Sequence, residues 1–386
     1  MQPIKYPVYR PYLAGNLKAY VNECIDTSWI SSKGKFIFQF ETSFAQYIGA
    51  PHAAAVCNGT VALHLALLAC GIKPGDEVIV PALTYIASVN AIAYVGAKPI
   101  FVDSLPDTLQ MDPEDVQRKI SPRTKAILAV HLYGQPCEMD QLLPLCKAHS
   151  LFLIEDCAEA FGTIYKDTHV GTFGDVGTFS FFGNKTITTG EGGMLVSKNQ
   201  EIHNRIQHLK GQGVSPDKCY WHDAIGYNYR MTNICAAIGL AQLEIADSIL
   251  AKKREIARLY SRLLEHLPLS FHREIGSVRH SFWMCSILTH DPSDRDPLRD
   301  YLLHRGVETR PFFYPVSYLP MYEEKKGLYP IAESISARGI NLPSYPELSS
   351  DDIHEIASII RNYFAWKKDS SFSDAEDTAA ALQTSI

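Results

Sequence analysis

Lys185 stands in the segment GTFSFFGNKTITTGEGGMLVS, residues 177–197, framed by Ser180 before it and by Thr186, Thr188, Thr189, Gly190, Gly192 and Gly193 after it. Backbone N–H groups and hydroxyls in such a frame can surround an anion, and the amine can hold a phosphate or attack a carbonyl carbon. The spacing G-x-x-x-x-G-K-[ST] is absent, so the P-loop reading fails. A second chemistry is a Schiff base with an aldehyde such as pyridoxal phosphate, for which the amine must be neutral. Phe179, Phe181 and Phe182 flank the lysine, and an apolar setting favours the neutral form. A solvated lysine in a surface hairpin is the competing reading.

Three further places could supply the rest of such a site. Asn58-Gly59-Thr60 joins a short apolar strand to a helix rich in Ala and Leu. The unpaired N–H groups and positive dipole of a helix start suit a phosphate; simple capping by Asn58 or Thr60 is the alternative. Asp156 and Glu159 follow the apolar run 151–154. A carboxylate at the end of a buried strand needs a cationic partner, which a protonated pyridine nitrogen would provide, or it caps the next helix. Thr84-Tyr85 and His131 end two other expected strands, Ser31 sits on a turn before Gly34, and Trp29 reads as a packing residue.

The elements that must position these residues alternate. Strands are expected at 77–81, 99–102, 124–130 and 151–155, with helices at 87–95, 113–120 and 139–149. A repeated strand-then-helix order predicts a mainly parallel sheet covered on both faces, with functional side chains at the carboxyl ends of its strands. Helices are also expected at 16–26, 36–47 and 201–209, and a long one at 234–264 leaves a core-like start for a charged end. That change predicts a boundary near 248: a large domain, 1–248, and a small α+β domain, 249–365, with strands near 281–289 and 307–310 and helices near 297–305 and 351–363. Beyond Trp366 the periodicity is lost, so 366–386 is expected to be disordered.

The 386 residues carry a formal charge of -6 with Lys and Arg dispersed, which argues against a nucleic-acid partner. No stretch approaches the roughly 20 apolar residues of a membrane span and no signal-peptide core is visible, so a cytoplasmic location is expected. Nine scattered cysteines without a C-x-x-C pair predict reduced thiols and no metal site, with Cys157 a small core residue.

The motifs WISSKGKFI (29–37), NGTVALHLALLA (58–69), PALTYIASVNAI (81–92), IEDCAEAFG (154–162), GTFSFFGNKTITTGEGGM (177–194), GYNYRMTNICAAIGLAQLE (226–244) and TRPFFYPV (309–316) occur in that order. Together they closely resemble the DegT/DnrJ/EryC1/StrS sugar aminotransferases, over residues 6 to about 363. The resemblance implies a fold-type I aminotransferase: an α/β fold whose large domain holds a mainly parallel seven-stranded sheet between helices, followed by a small α+β domain. It places the Schiff-base lysine on Lys185 and the pyridinium-nitrogen aspartate on Asp156, with Tyr85 stacked on the ring of pyridoxal 5'-phosphate and Glu159 near its hydroxyl. Gly59, Thr60 and Ser180 match phosphate-binding positions, and Asn228 matches a residue lent by the partner subunit, implying a homodimer with shared sites. Ser31, Arg230, Tyr314 and Ser317 fall on the substrate side; the family more often has histidine at the last of these, and also at Gln135.

The reaction implied moves the amino group of L-glutamate to C4 of a nucleotide-linked 4-keto-6-deoxy sugar. The nearest pattern takes GDP-4-keto-6-deoxy-D-mannose to GDP-perosamine, for O-antigen or other surface polysaccharide. The alternatives are a UDP- or dTDP-linked acceptor, or a dehydratase of the same fold, whose members replace the lysine by histidine. A non-catalytic regulator on this fold would be expected to lose Lys185 or Asp156.

Overall fold

A computed structural model describes residues 3–383, with side chains as far as residue 368. The chain opens with helices α1 (Leu17–Asp26) and α2 (Lys35–Ile48). Strands and helices then alternate: β1 (His52–Val56), α3 (Gly59–Ala69), β2 (Glu77–Pro81), α4 (Ile86–Tyr94), β3 (Lys98–Val102), α5 (Pro113–Lys119), β4 (Thr124–Val130), α6 (Met139–His149) and β5 (Phe152–Asp156). A short hairpin of β6 (Ile164–Tyr165) and β7 (Thr168–His169) precedes β8 (Val176–Ser180) and β9 (Gly193–Ser197), and α7 (Gln200–Lys210) and α8 (Asn233–Glu244) follow.

Seven strands form one sheet in the order β1-β9-β8-β5-β4-β2-β3. Pairing is parallel from β3 across to β8, and β9 runs antiparallel to both of its neighbours. This is the predicted mainly parallel sheet. Its strands are apolar on both faces because helices cover both. α3 is buried nearly all round, and Leu63, Leu65 and Leu67 enter one core. On the other face Phe40 and Phe44 of α2 meet Phe181 and Phe179, with ring centroids 5.3 and 5.0 Å apart.

The predicted helix 234–264 is two helices, α8 and α9 (Ala246–Leu263), bent by 62° at Ile245. At the bend the Ile245 N–H bonds to the Gln242 carbonyl, a tighter turn than an α-helix makes. An apolar period continues through such a break, so the pattern did not reveal it. No single helix among the described residues is long and apolar enough to cross a membrane.

α9 packs with a four-stranded antiparallel sheet of β10 (Leu269–Phe271), β12 (Cys285–Thr289), β14 (Gly339–Leu342) and β13 (Arg310–Pro311). The intervening β11 (Val278–Arg279) crosses back to pair with β6. Helices α10 (Arg295–Leu303), α11 (Pro330–Arg338) and α12 (Ser350–Gln383) complete this part. The predicted strands 281–289 and 307–310 are thus shorter and shifted. Val307 instead bridges Tyr6, which is buried in the same core as α9 and α12. α12 is assigned as far as Gln383, and the segment beyond Trp366 contains no Gly or Pro to stop a helix. Residues 384–386 lie outside the described residues.

Candidate active site

The carboxyl edge of the parallel strands opens into a cavity of about 460 Å³ lined by Gly59, Thr60, Tyr85, Asp156, Glu159, Ser180 and Lys185. β5 ends at Asp156, β8 ends at Ser180, and the β8–β9 connection carries Lys185. α3 and α4 begin at the same edge, so their first turns face the cavity. From the other side Trp283 and Met284, ahead of β12, and Arg310 and Pro311 of β13 close the wall.

Lys185 Nζ lies 3.9 Å from Glu159 Oε1 and 4.0 Å from the centroid of the Trp283 ring. Burial takes the Lys185 ammonium below its ordinary range, opposed by the charges of Glu159 and Asp156. Burial likewise pushes the Glu159 carboxyl up to about 7, against the pull of Lys185 and of the Tyr133 N–H. That N–H donates to Glu159 Oε2 at 2.8 Å, and Tyr133 adopts φ 55° there, a conformation that a bulky side chain seldom takes. The buried amine thus faces a buried carboxylate at ion-pair distance, and each perturbs the titration of the other.

Asp156 accepts from Ser88 Oγ at 2.7 Å and from the Ala158 N–H at 3.0 Å. These two bonds leave acceptor capacity on a carboxylate that offers about four lone-pair sites. The following residues form turns, so Asp156 caps no helix. Asn58 does cap α3, its Oδ1 accepting from the Val61 N–H at 3.0 Å; the capping alternative holds for that residue. A Cβ on Gly59 would fall 2.7 Å from Ser180 Cβ. Only a glycine lets the serine approach the helix start.

These features fit pyridoxal phosphate. Its phosphate suits the N–H groups of the α3 start with Ser180, its ring nitrogen the spare acceptor capacity of Asp156, and its aldehyde the buried amine of Lys185.

Other predicted residues stand apart. Phe179 and Phe181 are buried on the α2 side of the sheet, because side chains alternate along a strand. Only Phe182 of the three lines the cavity, and the apolar cover over Lys185 is Trp283 instead. His131 also points away. Its Nδ1 accepts from the Cys137 N–H at 3.0 Å, which puts the proton on Nε2, 3.0 Å from Glu155 Oε2. Glu155 also accepts from Gly171, Phe173 and Gly174 N–H at 2.7 to 2.8 Å. His131, Glu155 and Cys157 cluster closely enough to suggest a metal, but these hydrogen bonds already account for the imidazole and the carboxylate.

Ser31, Asn228, Arg230, Tyr314 and Ser317 are not among the cavity residues. Ser31, Asn228 and Arg230 are exposed, and Arg230 donates to Asn228 Oδ1 at 3.1 Å. Tyr314 is also exposed, whereas Ser317 is buried and its Oγ has no partner among the described residues. Trp29, read as a packing residue, is 56% exposed.

Sequence reasoning missed Ser88, Tyr133, Asn184, Trp283, Arg310 and Asn341 as cavity residues. Ser88 had a signal, since it lies one helical turn beyond Tyr85 on α4. Trp283 had none, being brought to Lys185 only by the packing of α9 and β12.

A buried lysine opposite a strand-end aspartate, on a mainly parallel sheet with a helix start for phosphate, defines a pyridoxal-phosphate-dependent transaminase of fold-type I. The chain belongs to the DegT/DnrJ/EryC1/StrS aminotransferase family, whose model matches residues 11–361. It is 57% identical over 365 residues to a protein of Escherichia coli O157:H7 named GDP-perosamine synthase, covering 94% of this chain and 100% of that one. A protein of the same name from Vibrio cholerae is 54% identical over 362 residues, covering 93% and 99%. Among solved structures, the aminotransferase TlmJ from Streptoalloteichus hindustanus superposes with a TM-score of 0.90 at 30% identity, covering 94% of this chain and 100% of that one. DesV of S. venezuelae, solved in complex with a ketimine intermediate, gives 0.86 at 33% identity, covering 90% and 94%.

Proposed function

We propose that the protein moves the amino group of L-glutamate to C4 of GDP-4-keto-6-deoxy-D-mannose, yielding GDP-perosamine for O-antigen or a similar surface polysaccharide. The observation that carries this reading is the 57% identity along the whole length of the Escherichia coli protein of that activity's name. Retention of Lys185 argues against a dehydratase of this fold.

Pyridoxal phosphate, when bound, supplies an electron sink for the carbon bearing the amine. Asp156 would hold a proton on the ring nitrogen, and Gly59, Thr60 and Ser180 would grip the phosphate so that the reacting carbon stays fixed. Tyr85 would cover one face of the ring and Glu159 would meet its hydroxyl. Lys185 would act as the base and then the acid of the 1,3-proton shift that the transfer of the amine requires. Arg310 brings a guanidinium to the same cavity, which suits the carboxylates of the amino donor.

Assay with glutamate and a panel of GDP-, UDP- and dTDP-linked 4-keto sugars tests the acceptor. The GDP sugar is expected to give kcat/KM at least about tenfold above the others. A preference of that size for a UDP or dTDP sugar overturns the assignment.

A homodimer is part of the proposal. Asn228 is exposed, as are Phe38 (72%), Tyr220 (92%) and Ile225 (89%), an apolar set suited to a second copy. If Asn228 serves the neighbouring phosphate, mixing inactive Lys185→Ala chains with inactive Asn228→Asp chains will restore part of the activity, because one site of each heterodimer then has both residues. Demonstrated subunit exchange without recovery counts against the shared site. Within each chain we assign 1–248 to a large cofactor-binding unit and 249–365 to a small one, with residues around Tyr6 packing on the latter.

A further inference from the structure

Lys253 of α9 is 1% exposed and burial takes its ammonium down to about 7. The Cys285 thiol, itself pushed up by burial, is the ionisable group that opposes this shift. Lys253 Nζ meets the Trp283 carbonyl at 2.7 Å, the Ser344 carbonyl at 2.5 Å and Ser344 Oγ at 2.8 Å. These three oxygens satisfy either protonation state. An ammonium donates to all three; a neutral amine donates to the two carbonyls and accepts from the hydroxyl. The contacts therefore persist near neutrality without a carboxylate partner.

What the amine holds leads to the reactive lysine. The Trp283 indole lies over Lys185 Nζ, and its Nε1 donates to the Asn184 carbonyl at 2.7 Å. Tyr9, whose ring centroid is 5.9 Å from Lys253 Nζ, donates its hydroxyl to the Lys185 carbonyl at 2.5 Å. Both paths end on the backbone of residues 184–185.

We propose that Lys253 is a positioning residue for Lys185: from the interdomain helix its amine ties Trp283 to Ser344, so that the indole face stays over the reactive amine. This rests on the reading of Lys185 as the reactive amine. The cover acts on Lys185 in two opposed ways, since a ring face favours the ammonium while exclusion of water disfavours it. Burial is the largest influence on Lys185, so loosening the cover raises its titration midpoint.

The test follows Lys185 in the cofactor-free full-length protein, by pH-dependent acetylation with acetic anhydride and mass spectrometry of its peptide. Lys253→Met and Trp283→Leu are each expected to raise the midpoint by about one pH unit. The double variant should shift no further than the larger single one, because the two act along one path. In the loaded enzyme Lys253→Met should lower kcat about tenfold with the acceptor KM within about twofold. Ser344→Ala keeps both carbonyls and should shift the midpoint the same way by less, and it carries the test if Lys253→Met does not fold. An unchanged midpoint in a folded variant, or additive shifts, overturns the proposal. Wild-type Lys185 titrating with ordinary surface lysines would instead overturn the reading beneath it.

Discussion

Lys185→Ala is expected to yield a folded, colourless protein with transaminase activity reduced by at least about 10³-fold. On the proposed mechanism, removing the amine would take away the group that binds the aldehyde and moves the proton. It also removes the positive charge that supports an ionised Glu159, so that carboxyl rises further and stays protonated at neutral pH. Lys185→Arg should fail as completely, since a guanidinium keeps its proton at any working pH and cannot become a nucleophile. The measurements are an absorbance scan after incubation with pyridoxal phosphate and a transamination assay. A yellow, active Lys185→Ala variant, or a wild type that never takes up the cofactor, would remove Lys185 from the centre of the site.

Asp156→Asn should separate binding from chemistry. An asparagine keeps an oxygen that can accept from the Ala158 N–H, and its amide can still meet Ser88 Oγ, so the turn after β5 should survive. The lost charge is what would hold the pyridine proton. The variant should retain cofactor and lose about 10²- to 10⁴-fold in kcat, with a much smaller change in KM. Turnover close to wild type would reduce Asp156 to a residue that ties a turn.

The sheet was legible because its strands announce themselves as short apolar runs separated by helices. Glu77–Pro81, Thr124–Val130 and Met139–His149 begin and end where the pattern predicts. The pattern does not predict β8 and β9: the glycines and hydroxyls between them speak of a loop, and the flanking runs borrow their strand character from neighbours in the sheet. β13 and β14 are short and similarly dependent. In the site, the residues that stand on strand ends and helix starts were readable from local sequence: Gly59, Thr60, Tyr85, Asp156, Glu159, Ser180 and Lys185 share one cavity. Trp283, Arg310 and Asn341 were not, because nothing local marks a side chain that reaches the cavity from the four-stranded sheet and the segment leading into it. The aromatic residues beside Lys185 misled for a plain geometric reason: neighbours in a strand face opposite ways.

The same alternation gives Glu155 and Asp156 a joint consequence. One carboxylate fastens the 171–174 loop beneath the sheet while its neighbour faces the cavity above. If β5 slipped by one residue between β4 and β8, Glu155 would enter the cavity, and the shorter Asp156 would be left to reach three backbone amides. Each buried amide left unmet costs about 1 to 3 kcal/mol. A misaligned β5 is thus penalised on both faces at once, and correct alignment of the sheet and correct aim of the cavity-side carboxylate become a single folding event.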